Sequence, residues 1–307
     1  MMDRTDRHFR FLVRCISRHT LLYTEMLHAR AVLHGDRDRL LGFDPEEHPI
    51  SLQIGGDDPV TMTEAARIAE DRGYDEVNLN IGCPSPRVQS GNFGACLMRD
   101  AERVAACVAA MRSAVSIPVT VKTRIGVDDW DRYEHMLQFV DTVSAAGSDR
   151  ITVHARKAWL KGLSPKQNRN IPPLRYPEVY RLKQERPELV VEINGGIKTL
   201  DDFDTHLEHV DAVMIGRAAW DNPMLFAEVD RRYFGGTDPV PTAAEVVERY
   251  APYAQRWLAR PGYKATRIHR NLLNLFAGRP GARRWKQALS TGRPTAEPLT
   301  ALVPQLS

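Results

Sequence analysis

The feature that most constrains the fold is a repeat of short apolar segments separated by longer stretches with helical periodicity. Seven segments have the length and pattern of β-strands: Leu21 to Thr24, Ile50 to Ile54, Glu76 to Ile81, Val119 to Lys122, Arg150 to His154, Val190 to Asn194 and Ala212 to Ile215. Apolar residues at three- and four-residue intervals predict helices between them, among them Thr63 to Arg72, Ala101 to Ala114, Tyr133 to Ala146 and Asp201 to His209. The alternation predicts an α/β fold, a TIM (β/α)₈ barrel whose first strand is missing from this chain.

Composition narrows the class of protein. The 307 residues include four cysteines, none in a Cys-x-x-Cys pair, which argues against a disulfide scaffold or a metal site. No apolar run approaches the roughly 18 residues that span a bilayer, and the Arg- and Asp-rich start lacks a signal-peptide core. We therefore expect a reduced, cytoplasmic protein with no membrane segment and no metal.

Positive charge is concentrated in one segment near the end of the chain. It carries a net charge of +3, yet the segment from Arg249 to Arg293 holds eleven Lys and Arg residues and no acidic residue. A solvated helix face is the usual explanation for a charge run, but the interleaved Trp257, Tyr263 and Trp285 favour binding to a phosphate backbone. We predict a barrel domain over residues 1–238 and a basic helical domain over residues 239–307.

Polar residues end the predicted strands, where barrel enzymes assemble their active sites. These are Thr24, Glu25, Gln53, Asn80, Lys122, Arg124, His154, Asn194, Gly216 and Arg217. Gly195 and Gly196, like Gly216 before Arg217, form glycine turns that suit a phosphate. Lys122 and His154 supply a cation and a ring N–H that suit the pyrimidine edge of a reduced flavin.

A cysteine follows the third predicted strand. Cys83 lies in the run from Asn78 to Pro84, where the strand passes into a loop. Free cysteine is among the most buried residue types, so a structural role is one alternative. The neighbouring asparagines and the position after a strand favour a reactive thiol. Cys96, further along the same loop, has apolar neighbours, so we predict that its side chain has a structural role in packing.

These motifs, taken in order, resemble the tRNA-dihydrouridine synthases, and within them the A-type bacterial subfamily. The matching segments are Asp6 to His8, Leu22 to Met26, Leu52 to Gly56, Asn78 to Pro84, Gly91 to Met98, Val121 to Gly126, His154 to Leu160 and Ile193 to Ile197. The resemblance implies that FMN sits at the barrel mouth, that NADPH reduces it, and that a uracil in the D loop of tRNA receives the hydride at C6.

The resemblance also assigns roles. Gln53, Lys122 and His154 would contact the flavin, and its phosphate would be held by Asn194, Gly195, Gly196, Gly216 and Arg217. Cys83 would protonate C5, since a thiol with a pKa of roughly 8.5 is mostly protonated at neutral pH. Asn80 would hold the uridine, and Arg124 would add charge near the base or the tRNA backbone.

The start of the chain departs from the family pattern. Family members place an Ala-Pro-Met segment under the flavin, of which only Met1 remains here. The opening residues, Met1 to Arg7, are typical of a loop after a strand, so we expect the natural product to start upstream. An unclosed barrel would expose a sheet edge and part of the flavin floor, so we expect a chain starting at Met1 to be unstable or to bind FMN weakly.

Two basic groups are predicted to contact tRNA. Arg283, Arg284 and Lys286 follow the turn at Pro280-Gly281, and Lys161, Lys166 and Arg169 lie in the long loop from Trp159 to Pro173. The resemblance implies that this loop and the helical domain orient the tRNA and that positions 20 and 20a are modified. We also expect the protein to be a monomer.

Two alternatives remain at this stage. One is a flavin enzyme acting on a free pyrimidine, resembling dihydroorotate or dihydropyrimidine dehydrogenases, although such an enzyme needs no acid-free basic domain. The other is a noncatalytic tRNA-binding protein, although RNA binding alone requires neither Cys83 nor Lys122.

Overall fold

The computed structural model describes residues 1–291 and 298–304, which form two compact units. The barrel unit consists of Glu25–Gly42 and Ile50–Gly216. The helical unit consists of Met1–Thr24, Phe43–Pro49 and Arg217–Ser307, within the described ranges. Strands and helices are numbered along the whole chain.

The barrel unit is built on a parallel sheet that curls as a half-barrel. Its strands are β2 (Leu27–His28), β3 (Ile50–Gly55), β4 (Glu76–Asn80), β5 (Val119–Arg124), β6 (Arg150–His154), β7 (Val191–Asn194) and β8 (Ala212–Met214). Each pairs in parallel with the next, from β2 to β8. The remaining strand, β1 (Leu22–Tyr23), belongs to the helical unit.

Helices connect these strands, as parallel pairing requires. They are α2 (Ala29–His34), α3 (Arg37–Leu41), α4 (Pro59–Asp71), α5 (Pro86–Ser90), α6 (Ala101–Arg112), α7 (Tyr133–Ala145), α8 (Tyr176–Glu185) and α9 (Leu200–Leu207). Local sequence fixes their starts: Asp58 and Asp100 accept bonds from backbone N–H groups of the first turns of α4 and α6. The predicted TIM-barrel fold is confirmed, while β2 has no counterpart in the prediction.

Side chains along the strands alternate between two faces of the sheet. Apolar residues such as Leu52, Leu79, Val121 and Val153 are fully buried. The alternate positions are polar: Ser51, Gln53, Glu76, Asn78, Thr120, Lys122, Thr152, His154, Glu192 and Asn194. The sheet therefore has one apolar face, suited to the helices, and one polar face.

Hydrogen bonds across the strands satisfy the polar face, as burial demands. Ser51 Oγ and Thr120 Oγ1 both donate to Glu76 Oε1, at 2.9 and 2.8 Å. Arg150 forms an ion pair with Glu76 at 2.6 Å, and Thr152 donates to Glu192 Oε2 at 2.5 Å. Burial raises the pKa of Glu192. The polar interior thus links four neighbouring strands, β3 to β6, and continues to β7.

The helical unit contains α1 (Arg7–Ile16), α10 (Arg217–Asp221), α11 (Val229–Tyr233), α12 (Ala243–Leu258), α13 (Thr266–Leu272) and α14 (Ala282–Leu289). Aromatic side chains join α1 to α12, where Phe11 stacks on Tyr253 with ring centroids 3.9 Å apart. His8 Nδ1 lies 2.7 Å from Tyr253 Oη. Burial lowers the pKa of His8 to about 4, so this histidine is neutral at pH 7.

The predicted boundary between residues 238 and 239 stays a prediction. The compact unit that holds α12 to α14 also holds α1 and residues Phe43–Pro49. Its core extends to α14, where the fully buried Trp285 donates its Nε1–H to the Leu272 carbonyl at 2.8 Å. Residues from both ends of the chain therefore contribute to one core.

Candidate active site

The centre of the site is a lysine at the carboxyl end of β5. Lys122 Nζ donates to Asn194 Oδ1 at 3.2 Å, and Asn194 Nδ2 donates to the Met214 carbonyl at 2.8 Å. Strand register places His154 beside Asn194 and Arg124 beside His154. Burial, reinforced by the charge of Arg124, lowers the pKa of Lys122 to about 8. A half-buried, oriented cation therefore lies among hydrogen-bonding side chains near the carboxyl ends of the strands.

The turn after β7 requires glycine at two positions. Gly195 and Gly196 have φ values of +118° and +77°, in the left-handed region. A Cβ on Gly195 would lie 2.6 Å from His154 Cδ2, and one on Gly196 would lie 2.7 Å from Tyr176 Oη. Tyr176 Oη also donates to the Gly195 carbonyl at 2.7 Å. The turn is therefore fixed and brings its backbone close to the polar face.

The Cys83 loop is fixed by Asn80 at the end of β4. Asn80 Oδ1 accepts from the backbone N–H groups of Gly82 and Cys83, both at 3.0 Å. Its Nδ2 donates to Gln53 Oε1 at 2.9 Å, and Gln53 Nε2 donates to Asn78 Oδ1 at 2.9 Å. The Cys83 carbonyl accepts from Ala95 N–H at 3.0 Å. The half-buried Cys83 thus has a backbone held on both sides.

Arg124 ties this loop to the loop that follows β6. Its guanidinium donates to three carbonyls, those of Gly82 at 2.7 Å, Lys157 at 3.2 Å and Asn168 at 3.3 Å. Burial lowers the pKa of Arg124 to about 10, and the side chain is only 4% exposed. Through these contacts Arg124 positions the two loops. Direct contact of Arg124 with a substrate stays a prediction.

The predicted basic residues lie on the surface of both units. Lys166 and Arg169 in the barrel unit are exposed. Arg283, Arg284 and Lys286 on α14 are exposed around the buried Trp285. Their positions fit a contact with a polyanion.

Part of the basic segment has a structural role instead. Arg270 pairs with Asp6, Arg256 pairs with Asp44 at 3.3 Å, and Arg249 donates to the Cys15 carbonyl at 3.1 Å. Arg293, which belongs to the same predicted segment, lies outside the described residues.

The other residues predicted to bind the cofactor are Gly216 and Arg217, for its phosphate, and Met1, beneath the flavin. Gly216 closes the barrel unit two residues after β8, and Arg217 is exposed and begins α10 in the helical unit. Met1 lies in the helical unit, where its N-terminal ammonium donates to Thr5 Oγ1 at 2.7 Å. Their roles toward a cofactor stay predictions.

The remaining cysteines have buried or bonded thiols. Burial raises the pKa of Cys15 and Cys107 to about 12. Cys96 is half-buried, its Sγ–H donates to the Phe93 carbonyl at 3.2 Å, and burial raises its pKa. These features fit the packing role predicted for Cys96.

Residues 1–291 and 298–304 contain neither a cluster suited to a metal ion nor a helix suited to span a membrane. There, no cluster of three or more His, Cys, Asp or Glu side chains is arranged to hold a metal ion. No helix in the same ranges combines the length and apolar character needed to cross a bilayer.

Sequence reasoning missed three residues that organise the site. Asn78 bridges Gln53 and Thr120 from the polar face of β4, and its place in the alternating pattern is the signal that could have found it. Asn168, which is fully buried in the loop after β6, and Tyr176, which holds Gly195, carry no such signal. Their roles depend on contacts that only the folded chain creates.

The chain matches one family model and several known proteins. The family model described as dihydrouridine synthase matches residues 1–306. A protein of Synechocystis sp. named tRNA-dihydrouridine(20/20a) synthase is 60% identical over 290 residues, covering 94% of this chain and 86% of its own length. Proteins with the same name from Escherichia coli strain K12 and Vibrio cholerae are 54% and 52% identical, each over 94% of this chain and over 84% and 88% of their own lengths.

Proposed function

Because the chain belongs to the dihydrouridine synthase family, we propose that it reduces uridine to 5,6-dihydrouridine in the D loop of tRNA, with FMN as cofactor and NADPH as reductant. The resemblance recognised from the sequence is thereby confirmed. The observation that carries the proposal is a backbone-fixed, half-buried thiol, Cys83, in the unit whose polar face presents Lys122 and the Gly195-Gly196 turn. Positions 20 and 20a are proposed from the names of the relatives.

The residues present fit a flavin mononucleotide. The Gly195-Gly196 turn has two consecutive residues at positive φ, and glycine turns of this kind can direct backbone N–H groups at a phosphate. Lys122 offers a cation and His154 a ring nitrogen at the same end of the sheet, while Gln53 and Asn194 offer amides. We propose that these six residues, together with Gly216, which closes the same unit, hold FMN. Contacts of Arg217 and Met1 with the cofactor stay predictions.

When bound and reduced, a flavin supplies a hydride, here to C6 of the uracil. The task of the protein is then to bind the base, to stabilise negative charge at C5 and O4, and to deliver a proton. We assign the proton to the Cys83 thiol, whose loop is held by Asn80, and binding of the uridine to Asn80. General acid catalysis of this kind is worth about 10²- to 10⁴-fold in rate.

The proposal is tested by mass spectrometry of nucleosides from tRNA incubated with the protein, FMN and NADPH. We expect uridine in the D loop to gain two hydrogens, while free uridine and uridine monophosphate stay unchanged. Reduction of the free nucleoside with no change in tRNA would instead support the small-molecule alternative. Binding of tRNA without reduction would support the noncatalytic one.

The pKa of Lys122 predicts a pH dependence of flavin binding. Below pH 8 the ammonium is charged in the folded protein, and above it the charge is lost. Because a charged Lys122 is a stronger hydrogen-bond donor to the pyrimidine edge of the flavin than a neutral one, we expect FMN affinity to fall as the pH rises through about 8. FMN affinity is measured by titration at several pH values between 6.5 and 9.5, with quenching of flavin fluorescence as the signal.

Lys122 should also make the stability of the FMN-free protein depend on pH, and in the opposite direction: stability should rise with pH where FMN affinity falls. The pKa is lower in the folded protein than its ordinary value of 10.5, so the unfolded chain binds more protons between pH 8 and pH 10.5. The contribution of Lys122 to the free energy of unfolding therefore rises over that window. A Lys122→Met variant should lose both the pH dependence of FMN affinity and that of stability. If its FMN affinity depended on pH as in the wild type, Lys122 would not be the residue that titrates.

The basic surface of α14 is predicted to contact the phosphates of tRNA. Replacing Arg283, Arg284 and Lys286 together by Ala should weaken tRNA binding and flatten the plot of log K against log salt concentration by about 2 to 3 units. Filter binding between 50 and 200 mM salt provides the measurement. Arg67→Ala, at an exposed position on α4, serves as a control that should leave the slope nearly unchanged, and an equal slope for the triple variant would refute the contact.

We further propose that the protein acts as a monomer in the cytoplasm, where tRNA, NADPH and a reducing environment coincide. The free state of all four cysteines supports the reducing compartment.

A further inference from the structure

The loop after β6 carries charge of only one sign. From Ala155 to Arg175 the chain has six basic residues and no acidic residue. The basic residues are Arg156, Lys157, Lys161, Lys166, Arg169 and Arg175. Lys157 and Arg175 pair with Asp131. The exposed Lys161, Lys166 and Arg169 are suited to a phosphate-bearing partner.

This basic loop contains a tryptophan that is exposed to solvent. Trp159 leaves 38% of its surface exposed, although large aromatic side chains are usually well buried. Lys157 Nζ lies 4.1 Å from the centre of the indole ring, and an ion pair of 2.8 Å with Asp131 holds that lysine. Trp159 thus combines exposed aromatic surface with a fixed cation against its ring.

The backbone of Trp159 is held in place. Asn168, fully buried, accepts from Trp159 N–H at 2.7 Å and donates to the Trp159 carbonyl at 2.9 Å. Arg124 in turn donates to the Asn168 carbonyl at 3.3 Å. Because the residue is ordered before any ligand arrives, binding to its ring costs little conformational entropy.

The same loop lies beside the proposed acid. Gln89 Nε2 donates both to the Pro84 carbonyl and to the Leu160 carbonyl, each at 2.9 Å. Pro84 follows Cys83 and Leu160 follows Trp159 in the chain, so one amide joins the two loops. A uridine placed at Cys83 would therefore have its neighbouring nucleotides close to the loop that displays Trp159.

We propose that Trp159 is a stacking platform for an unpaired RNA base next to the uridine that meets Cys83. This inference rests on the proposed tRNA substrate and assigns a subsite within it. Proteins that act on single bases in RNA loops read unstacked nucleotides, and aromatic side chains are their usual stacking partners. A stack recognises the flat face of any base, so the platform adds affinity with little sequence preference.

The test measures the dissociation constant for tRNA with Trp159→Ala and Trp159→Phe. Loss of one base stack should weaken binding by about 5- to 150-fold in the Ala variant, and Phe should restore much of the affinity because it keeps an aromatic face. The salt dependence of binding should be unchanged, since no phosphate contact is removed. Ile171→Ala is the matched control, because Ile171 is 58% exposed in the same loop but has no ring.

A second arm uses tRNA transcripts with an abasic nucleotide on one or the other side of the target uridine. With the base removed, Trp159→Ala should cause no further loss of affinity for one of the two transcripts. Equal losses for intact and both abasic transcripts, or wild-type affinity for Trp159→Ala, would overturn the inference. Failure of the wild-type protein to bind tRNA at all would refute the proposed function instead, and the FMN affinity of each variant shows whether its barrel unit is intact.

Discussion

Cys83→Ala is expected to form dihydrouridine about 10²- to 10⁴-fold more slowly than the wild type, the usual contribution of a positioned general acid. Asn80 holds the loop through backbone N–H groups at 3.0 Å, and these bonds do not involve the thiol. The fold, the FMN affinity and the tRNA affinity should therefore survive the substitution. The rate is measured as dihydrouridine formed per flavin, by mass spectrometry of tRNA nucleosides.

Cys96→Ala is the matched control for this prediction. It removes a thiol from the same loop, but one that donates to the Phe93 carbonyl and has a pKa raised by burial. We expect activity near that of the wild type. Wild-type turnover by Cys83→Ala would mean that another group delivers the proton, and loss of activity in both variants would point to a disturbed loop.

Lys122→Met is expected to weaken FMN binding by about 10- to 150-fold, the range for a hydrogen bond to a charged group. Methionine matches the length of the lysine stem but has no charge. The FMN-free protein should not be destabilised, because burying the Lys122 ammonium is itself unfavourable, as its lowered pKa shows. FMN titration and thermal unfolding of the same samples separate the two effects.

Lys183→Met is the control for Lys122. Lys183 on α8 belongs to the same unit and pairs with Asp211 at 2.8 Å, just before β8 begins and so away from the carboxyl ends of the strands. This substitution should leave FMN affinity unchanged. Equal affinities for Lys122→Met and the wild type would remove Lys122 from the proposed cofactor site.

Local patterns predicted much of the barrel. The strand from Arg150 to His154 begins and ends at the predicted residues, because alternating side chains and flanking polar residues mark both ends. Helix α6 starts at Ala101 as predicted, since Asp100 caps it. The two-residue strand β2 was missed because Leu27–His28 is too short to show an alternation.

The candidate site was only partly predictable. Polar residues at strand ends are visible in the sequence, and the structure joins Lys122 to Asn194 and Asn80 to Gln53 across neighbouring or nearby strands. The hydrogen bonds of Arg124 to three carbonyls could not be predicted, because they depend on the paths of two loops. The sequence suggested charge near the base or the tRNA backbone for Arg124, and in the folded chain its guanidinium donates to backbone oxygens of two loops.

The most direct test of the account is a single turnover without NADPH. Protein whose FMN has been reduced anaerobically is mixed with tRNA that lacks dihydrouridine, and both flavin absorbance and tRNA nucleosides are followed. The account predicts that flavin oxidation and dihydrouridine formation proceed together, one for one, and that free uridine causes neither. Flavin that stays reduced in the presence of tRNA, or that is oxidised equally well by free uridine, would contradict it.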